Sequence, residues 1–291
     1  MIEKAALDRR RNAVREDLAS ADLKGKVDAP RFEEGTPAMI ARAAVPLRKE
    51  PVASAGFETE ALFGETVRVY DTAGGWAWVQ LDGDRYVGYL PADTLNRTVK
   101  PATHRVKATG TFLYAVPDIK SPPILHLSLN ARLKVVETVD RFYRLDGGGH
   151  VIARHVAALD WADRDFAEVA ERFLGTPYLW GGRTRIGLDC SALVQLSLQA
   201  CSIDCPRDSD MQRAELGEPV SVPADLEGLQ RGDLVFWAGH VGIMSDSVML
   251  LHANAHAMAV AFEPLPEANA RIKSATGGEI EAIRRLPALT G

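Results

Sequence analysis

The chain is poor in cysteine and has no long apolar run, and each shortage excludes a class of protein. Three cysteines, Cys190, Cys201 and Cys205, occur in 291 residues, and this odd, small number excludes a disulfide framework. No apolar run approaches the roughly eighteen residues of a membrane-spanning helix. The 34 lysines and arginines are outnumbered by 39 aspartates and glutamates, so the net charge is −5. Without a basic surplus, nothing favours nucleic acid as a partner.

The first residues also lack the apolar stretch of a secretory signal, since residues 1–11 include Glu3, Lys4, Asp8 and three consecutive arginines. We therefore expect a cytoplasmic protein, although a chain from which a signal had been removed would look the same. The hydrophobic content of 46% and charged content of 25% are typical of soluble globular proteins. The length suits two or three domains.

One cysteine has an unusual local sequence. A glycine-rich stretch, residues 175–187, leads to Cys190, and residues 191–200 contain no glycine or proline and are densely apolar. This pattern predicts a buried helix that begins at Cys190. A cysteine at a helix N-terminus meets unpaired N–H groups and the positive end of the helix dipole, which both favour thiolate. We therefore expect Cys190 to be a nucleophile, beside N–H groups that can hold an oxyanion.

Two histidines follow in regions with the pattern of β-strands. His240 lies fifty residues after Cys190, and His252 lies twelve residues further on. This even separation places both on one face of a continuous strand, or at matching points of two strands joined by residues 245–247. We expect His240 to be the general base and His252 to hold its imidazole in the useful tautomer. His256 is the competing candidate for this orienting role.

Other interpretations of these residues exist. A single buried cysteine is most often a small hydrophobic residue, and Cys190, His240 and His252 could also bind zinc. Cys201 and Cys205 could form a metal-binding pair, but their spacing is not that of a zinc knuckle and no second pair follows. We expect neither a metal nor a cofactor.

Residues 165–260 resemble the catalytic domain of the NlpC-type cysteine peptidases, a papain-like family that cuts bacterial cell-wall peptides. The matching motifs are Pro177-Tyr178-Leu179-Trp180-Gly181-Gly182, Leu188-Asp189-Cys190-Ser191, Pro206-Arg207-Asp208-Ser209, Gly232-Asp233-Leu234-Val235-Phe236 and Gly239-His240-Val241-Gly242-Ile243. The resemblance implies an α+β catalytic domain in which a helix headed by Cys190 packs against an antiparallel sheet.

An internal repeat precedes this domain. Residues 67–90 and 133–152 each read as strand, turn, aromatic strand, glycine turn and strand, a pattern typical of a small antiparallel barrel. They resemble the bacterial SH3-like barrels that accompany NlpC-type domains. We therefore predict a multidomain chain of two SH3-like β-barrels followed by an α+β papain-like domain. The predicted boundaries are an N-terminal arm, solvated, at 1–35, barrels at 36–99 and 100–160, and the peptidase domain at 161–291.

The resemblance also implies substrate contacts. By its match to the family, Tyr178 lies close to the nucleophile, and Asp189, Ser191 and Ser209 recognise an L-alanyl-γ-D-glutamyl end. A carboxylate beside a thiolate needs a cationic partner, and a substrate ammonium would supply one to Asp189. Glu65 and Tyr86 of the first barrel are further candidates for amine contacts. Their alternative interpretations are a turn carboxylate and a core aromatic residue.

The implied activity is hydrolysis of the bond between γ-D-glutamate and a diamino acid in murein tripeptides or tetrapeptides with a free N-terminal L-alanine. In the cytoplasm, such an enzyme would recycle imported wall peptides. The alternatives are an endopeptidase that remodels the intact wall, a wall-binding protein with an inert catalytic domain, and a thiol acyltransferase or amidase. The sequence leaves the oligomeric state and the identity of the diamino acid open.

Overall fold

The computed structural model describes residues 7–222 and 225–287, and the chain divides into two compact units. The first unit contains residues up to His104 together with 112–127 and 131–152, and the second contains 105–111, 128–130 and the chain from Ala153 onward. Three segments of the predicted second barrel, 105–111, 128–130 and 153–160, therefore belong to the same unit as the predicted peptidase domain. The unit boundary differs in this respect from the domain boundary expected after residue 160.

The N-terminal segment packs against the rest of the first unit. Its strands β1 (Ala19–Ser20) and β2 (Phe32–Glu33) pair in parallel. Ala13 and Leu18 are buried together with Trp78, and the guanidinium of Arg15 lies 4.7 Å from the Trp78 ring centroid. The prediction of a solvated arm was wrong, because these apolar contacts outweigh the charged composition of the segment.

Seven strands form an antiparallel sheet around the core of the first unit. They are β3 (Thr36–Ile40), β4 (Ala44–Arg48), β5 (Phe57–Leu62), β6 (Thr66–Ala73), β7 (Trp76–Leu81), β8 (Val87–Pro91) and β9 (Leu95–Asn96). Their spatial order is β5-β4-β8-β7-β6-β3-β9. Alternate residues of these strands point inward, which buries one apolar face of the sheet.

The next strands are short. They are β10 (His104–Val106), β11 (Gly110–Tyr114), β12 (Pro123–Ser128), β13 (Arg132–Leu133), β14 (Val135–Val139), β15 (Phe142–Leu145), β16 (His150–Ile152) and β17 (Val156–Ala158). A five-stranded sheet has the order β12-β11-β16-β15-β14. Its strands β14, β15 and β16 are neighbours in chain order, as β6, β7 and β8 are in the seven-stranded sheet.

The second unit combines helices with an antiparallel sheet. Its helices are α1 (Phe166–Glu171), α2 (Cys190–Ala200), α3 (Ser209–Glu215) and α4 (Leu265–Thr276). Its strands are β18 (Arg183–Thr184), β19 (Gly187–Leu188), β20 (Glu218–Val220), β21 (Leu234–Trp237), β22 (His240–Met244), β23 (Met249–Asn254), β24 (Ala259–Pro264) and β25 (Ala282–Arg285).

The main sheet of this unit has the order β20-β25-β21-β22-β23-β24, and α2 packs against β22 and β23. This is the α+β arrangement that the sequence predicts, with the helix that begins at Cys190 lying on the histidine-bearing strands. None of the helices described is long and apolar enough to cross a membrane.

Candidate active site

Asp189 starts the helix that carries Cys190. Its backbone is extended, and its Oδ1 accepts a hydrogen bond of 2.8 Å from the N–H of Ala192. This is an N-cap, which satisfies one of the N–H groups left without a partner at a helix start. Cys190 therefore occupies the first helical position, as predicted, and it is 7% exposed. The backbone N–H groups of Ser191 and Val241 donate hydrogen bonds to its sulfur.

The glycine-rich approach is explained by backbone geometry. Gly181 has a φ of +75°, in the left-handed region, and its N–H donates to Asp189 Oδ2 at 2.9 Å. A Cβ at Gly182 would lie 2.5 Å from the carbonyl oxygen of Gly187. The loop therefore needs glycine at both positions, and it helps to hold the cap of the nucleophile helix.

The protonation of Cys190 differs from the sequence-based expectation. Burial, followed by the nearby negative charge of Asp189, raises the pKa of the Cys190 thiol to about 12. The N–H groups of Val241 and Ser191 and the Arg207 cation lower this pKa, but they do not outweigh desolvation of the sulfur. The helix start favours the thiolate, as expected, but burial of the sulfur has the larger effect on the pKa of Cys190.

The two predicted histidines are hydrogen-bonded to each other. They lie on two neighbouring strands, β22 and β23, whose register pairs Ile243 with Leu251 and places both histidines on the same face. His240 Nε2 lies 2.9 Å from His252 Nδ1. His256 is exposed in the turn after β23, so His252 is the histidine that contacts His240.

Both imidazoles are in an environment that disfavours a positive charge. Burial, followed by the effects of the neighbouring His252 and Arg271, lowers the pKa of His240 to about 3. Burial also lowers the pKa of His252 to about 4, although Glu263 opposes this effect. The ring of Trp237 lies beside His240, with 5.8 Å between the ring centroids. Near neutral pH the site therefore holds a thiol and neutral imidazoles.

A carboxylate and a guanidinium extend the histidine pair. His252 Nε2 lies 3.1 Å from Glu263 Oε2, and Glu263 binds Arg271 through hydrogen bonds of 2.6 and 2.9 Å. Glu263 lies on β24, where its neighbour on β23 is Leu250. The sequence analysis missed both residues, because no motif marks a carboxylate on the next strand or an arginine on the following helix.

Asp189 already has a cationic partner in the protein. Arg207, which is 1% exposed, donates to Asp189 Oδ1 at 3.0 Å and to Oδ2 at 2.7 Å. It also donates to the Ser191 hydroxyl at 2.7 Å, and this hydroxyl donates to Asp189 at 3.1 Å. Arg207 therefore supplies the cationic partner that the sequence analysis expected from a substrate ammonium, and a contact of Asp189 with the substrate amine stays a prediction. Arg207 is within a motif that the sequence analysis singled out, but its role was not recognised.

The remaining predicted contacts in this unit lie around the start of α2. Burial, then the charges of Cys190 and Asp189, raise the pKa of the half-buried Tyr178 to about 12, so its phenol is close to both. Ser209 begins α3. The side chain of Gln212, one turn further along α3, donates to the Ser191 carbonyl at 2.9 Å and links the starts of the two helices.

The structure gives the two first-barrel candidates structural roles within the first unit. Tyr86 is 2% exposed and belongs to the core of the seven-stranded sheet. Glu65 accepts a hydrogen bond of 2.7 Å from the backbone N–H of Leu62. These are the core aromatic and the turn carboxylate of the alternative interpretation. An amine contact by Glu65 stays a prediction, whereas the burial of Tyr86 argues against a contact with substrate.

The other two cysteines are also buried thiols, Cys201 at the end of α2 and Cys205 before α3. Within residues 7–222 and 225–287, no group of three histidine, cysteine, aspartate or glutamate side chains is arranged to hold a metal ion. The arrangement around Cys190 therefore defines a class of site. A buried thiol at a helix start, near a hydrogen-bonded histidine pair, is equipped for nucleophilic attack on a carbonyl carbon.

Two parts of the chain, one of which contains this site, are similar to known protein families. The sequence pattern of the NlpC/P60 family matches residues 175–272, and that of the bacterial dipeptidyl-peptidase Sh3 domain matches residues 47–95. Residues 175–272 are therefore similar to the NlpC/P60 family, and a segment similar to a bacterial SH3 domain precedes them.

Curated relatives extend over both parts of the chain. The gamma-D-glutamyl-L-lysine dipeptidyl-peptidase of Bacillus cereus is 30% identical over 211 residues, which are 64% of this chain and 61% of the relative. The chain thus spans about three fifths of the length of that relative. Dipeptidyl-peptidase 6 of Lysinibacillus sphaericus is 25% identical over 264 residues, 82% of this chain and 96% of the relative.

A solved structure shows the same fold. An NlpC/P60 family protein from Bacillus cereus superimposes with a TM-score of 0.72 and 23% sequence identity. The match covers 87% of this chain and 100% of the other.

Proposed function

We propose that this protein hydrolyses the bond between γ-D-glutamate and a diamino acid in murein peptides that begin with a free L-alanine. The observation that carries the chemistry is the buried Cys190 at the start of α2, in the same unit as the His240–His252 hydrogen bond. The substrate class is supported by the name of the Bacillus cereus relative, a gamma-D-glutamyl-L-lysine dipeptidyl-peptidase.

In the first half of the reaction, Cys190 Sγ attacks the carbonyl carbon of the scissile amide while His240 takes the thiol proton. Because the thiol is the resting form, proton transfer accompanies the attack. The carbonyl oxygen becomes an oxyanion, for which the N–H of Cys190 is a donor, since a first helical residue has no intrahelical partner for its N–H. The C–N bond then breaks, and the leaving amine takes the proton from His240.

In the second half, water hydrolyses the thioester. The water gives one proton to His240 as its oxygen bonds to the carbonyl carbon, and the carbon–sulfur bond breaks. The sulfur then recovers the proton from His240 and the dipeptide leaves as a carboxylic acid. The enzyme returns to its thiol and neutral imidazole form, and one water has been consumed for each bond cleaved.

Our proposal for the substrate contacts differs from the expectation based on the sequence. The hydrogen bonds of Asp189 and Ser191 with Arg207 make these two residues supports for the nucleophile helix. Tyr178 and Ser209 are half-buried beside the starts of α2 and α3, so we assign the contacts with the γ-D-glutamyl part to them. We keep Glu65 as a candidate partner for the substrate amine.

A requirement for a free N-terminus would suit recycling of wall peptides in the cytoplasm, since stem peptides of the intact wall are blocked at that end by the sugar. The five-stranded sheet that follows the first SH3-like domain would be a second domain of the same type, because β14-β15-β16 repeats the meander β6-β7-β8.

Incubation with L-Ala-γ-D-Glu-diaminopimelate and with its N-acetylated form, followed by mass spectrometry, tests this proposal. A largely desolvated ammonium contact is worth roughly 2–5 kcal/mol when one partner is removed. Acetylation should therefore lower kcat/KM by about 30-fold or more. The Cys190→Ala variant is the control and should cleave neither peptide.

Other outcomes would select other functions. Equal cleavage of both peptides, or release of diaminopimelate from polymeric wall, would reject recycling and favour a wall-remodelling endopeptidase. Binding to the wall without cleavage of any peptide would favour a wall-binding protein with an inert domain.

A further inference from the structure

Beyond Cys190 and the two histidines, the Glu263–Arg271 ion pair lies directly against the catalytic machinery. Glu263 has one oxygen 3.1 Å from His252 Nε2, and Arg271 holds both oxygens of the same carboxylate. The side chain of Glu263 is 19% exposed, so the contact is partly shielded from water. The hydrogen bonding with Arg271 is the largest influence on the pKa of Glu263, and it lowers that pKa. Glu263 therefore stays ionised near neutral pH.

Glu263, His252 and His240 form a row joined by hydrogen bonds, and the donor and acceptor of each bond can be assigned by elimination. An ionised carboxylate only accepts hydrogen bonds, so His252 must donate to Glu263 from Nε2. Because His252 is neutral near pH 7, its Nδ1 then carries a lone pair and accepts from His240. His240 must therefore donate from Nε2, and its Nδ1 is left as the basic nitrogen.

We propose that Glu263, held by Arg271, is a positioning residue that sets the tautomers of both histidines and so makes Nδ1 of His240 the general base. The proposal rests on the peptidase function argued above and adds a fourth and a fifth residue to its machinery. A hydrogen-bond donor in place of Glu263 would exchange donor and acceptor in both bonds, the one to His252 and the one between His252 and His240. His240 would then carry its proton on Nδ1 and could not accept one from the Cys190 thiol.

Reversal of the ion pair is the direct test. The double variant Glu263→Lys with Arg271→Glu keeps two opposite charges but presents a donor to His252. We expect kcat to fall on the order of 10²–10⁴-fold, the usual contribution of a general base, with KM nearly unchanged. Glu263→Asp preserves an acceptor and should retain most of the activity.

The matched control is a second reversal on the same helix. Lys273 on α4 forms an exposed ion pair with Glu279, at 2.5 Å, in the segment after that helix. The double variant Lys273→Glu with Glu279→Lys makes the same change of charge and should keep the wild-type kcat and Tm. Equal losses in both double variants would show a structural effect and overturn the proposal.

Nitrogen-15 NMR of the imidazoles gives a readout that requires neither substrate nor a variant. In the wild-type protein, Nε2 of His240 and His252 should show the shift of a protonated ring nitrogen, and both Nδ1 atoms that of an unprotonated one. A protonated Nδ1 on wild-type His240 would overturn the proposal even if the peptide is cleaved. Correct tautomers without any cleavage would instead count against the proposed function.

Discussion

At the scale of single residues, burial keeps charge off both Cys190 and His240. The pKa of the thiol is raised to about 12 and that of the imidazole is lowered to about 3, in each case mainly by desolvation. A preformed thiolate–imidazolium pair would require the opposite shifts. The site around Cys190 therefore differs from one in which the sulfur is stored as a thiolate.

Alkylation by iodoacetamide measures this difference. Because only the thiolate reacts, the alkylation rate of Cys190 should rise about tenfold per pH unit from pH 6 to 9. The rate is followed by mass spectrometry of the peptide that contains Cys190, with Cys190→Ala to identify background reaction at Cys201 and Cys205. A rate independent of pH between 6 and 8 would show a stored thiolate and contradict the assignment.

Asp189 gives a second prediction at this scale. Its carboxylate caps α2 and binds the buried Arg207, so Asp189→Asn would leave that guanidinium without its charged partner. We expect kcat/KM to fall by at least about tenfold for free and N-acetylated peptides alike, with the preference between them unchanged. Loss of the preference alone would restore Asp189 as the contact of the substrate amine.

At the scale of elements, helix α2 is held at both ends. Asp189 caps its start, and Arg105 donates to the carbonyls of Gln199 and Ala200 at its end. Asn130 donates to the Leu196 carbonyl at 2.9 Å. The guanidinium also complements the negative end of the helix dipole. The segments 105–111 and 128–130 therefore help to fix the helix that carries the nucleophile.

The variant Arg105→Ala measures how much the hydrogen bonds from Arg105 to the end of α2 contribute to stability. Leaving buried carbonyls without a charged donor should lower the free energy of unfolding by about 1.5–3 kcal/mol and increase hydrogen exchange at the end of α2. Urea unfolding and exchange mass spectrometry measure the two effects. Arg141→Ala, which removes an exposed arginine, is the control and should change stability by less than about 0.5 kcal/mol. Equal effects of the two variants would exclude a role for Arg105 at the helix end.

Sequence patterns predicted the elements that carry the nucleophile and the histidines, because local features specify them. The start of α2 follows from a capping aspartate before an uninterrupted apolar run, and the phase of His240 and His252 follows from strand alternation. The N-terminal segment was mispredicted since its charged side chains conceal the two apolar residues that cover Trp78.

Contacts between distant segments could not be predicted in this way. Arg207 reaches Asp189 across 18 residues, and Glu263 reaches His252 from a neighbouring strand. The protonation of Cys190 depends on burial by several segments, which the local pattern of a helix start does not contain. The sequence therefore predicted the elements on which Cys190, His240 and His252 lie, but not how the charges around them are balanced.

At the scale of the whole molecule, the buried histidines connect stability to pH. The folded-state pKa values of about 3 for His240 and about 4 for His252 lie below the ordinary value of 6.5, so folding favours the neutral rings. Their contribution to stability is complete above pH 6.5 and is lost as the pH falls towards 4 and 3. The raised pKa of Cys190 has the opposite consequence, a loss of stability above its ordinary value of 9.0.

The Tm should therefore be nearly constant between pH 6.5 and 9 and fall on both sides. The variant His252→Gln should be less stable at pH 7 but should lose less stability than the wild type between pH 6.5 and 4. An equally steep acid limb in the variant would show that other groups, such as paired carboxylates, determine the acid sensitivity.

The measurement that tests the central claim most directly is a rapid quench of the enzyme with L-Ala-γ-D-Glu-diaminopimelate, followed by peptide mapping. We predict an L-alanyl-γ-D-glutamyl thioester on Cys190 and an equal amount of free diaminopimelate. Release of diaminopimelate with the acyl group on Cys201 or Cys205, or an adduct on Cys190 that retains the diamino acid, would contradict the account.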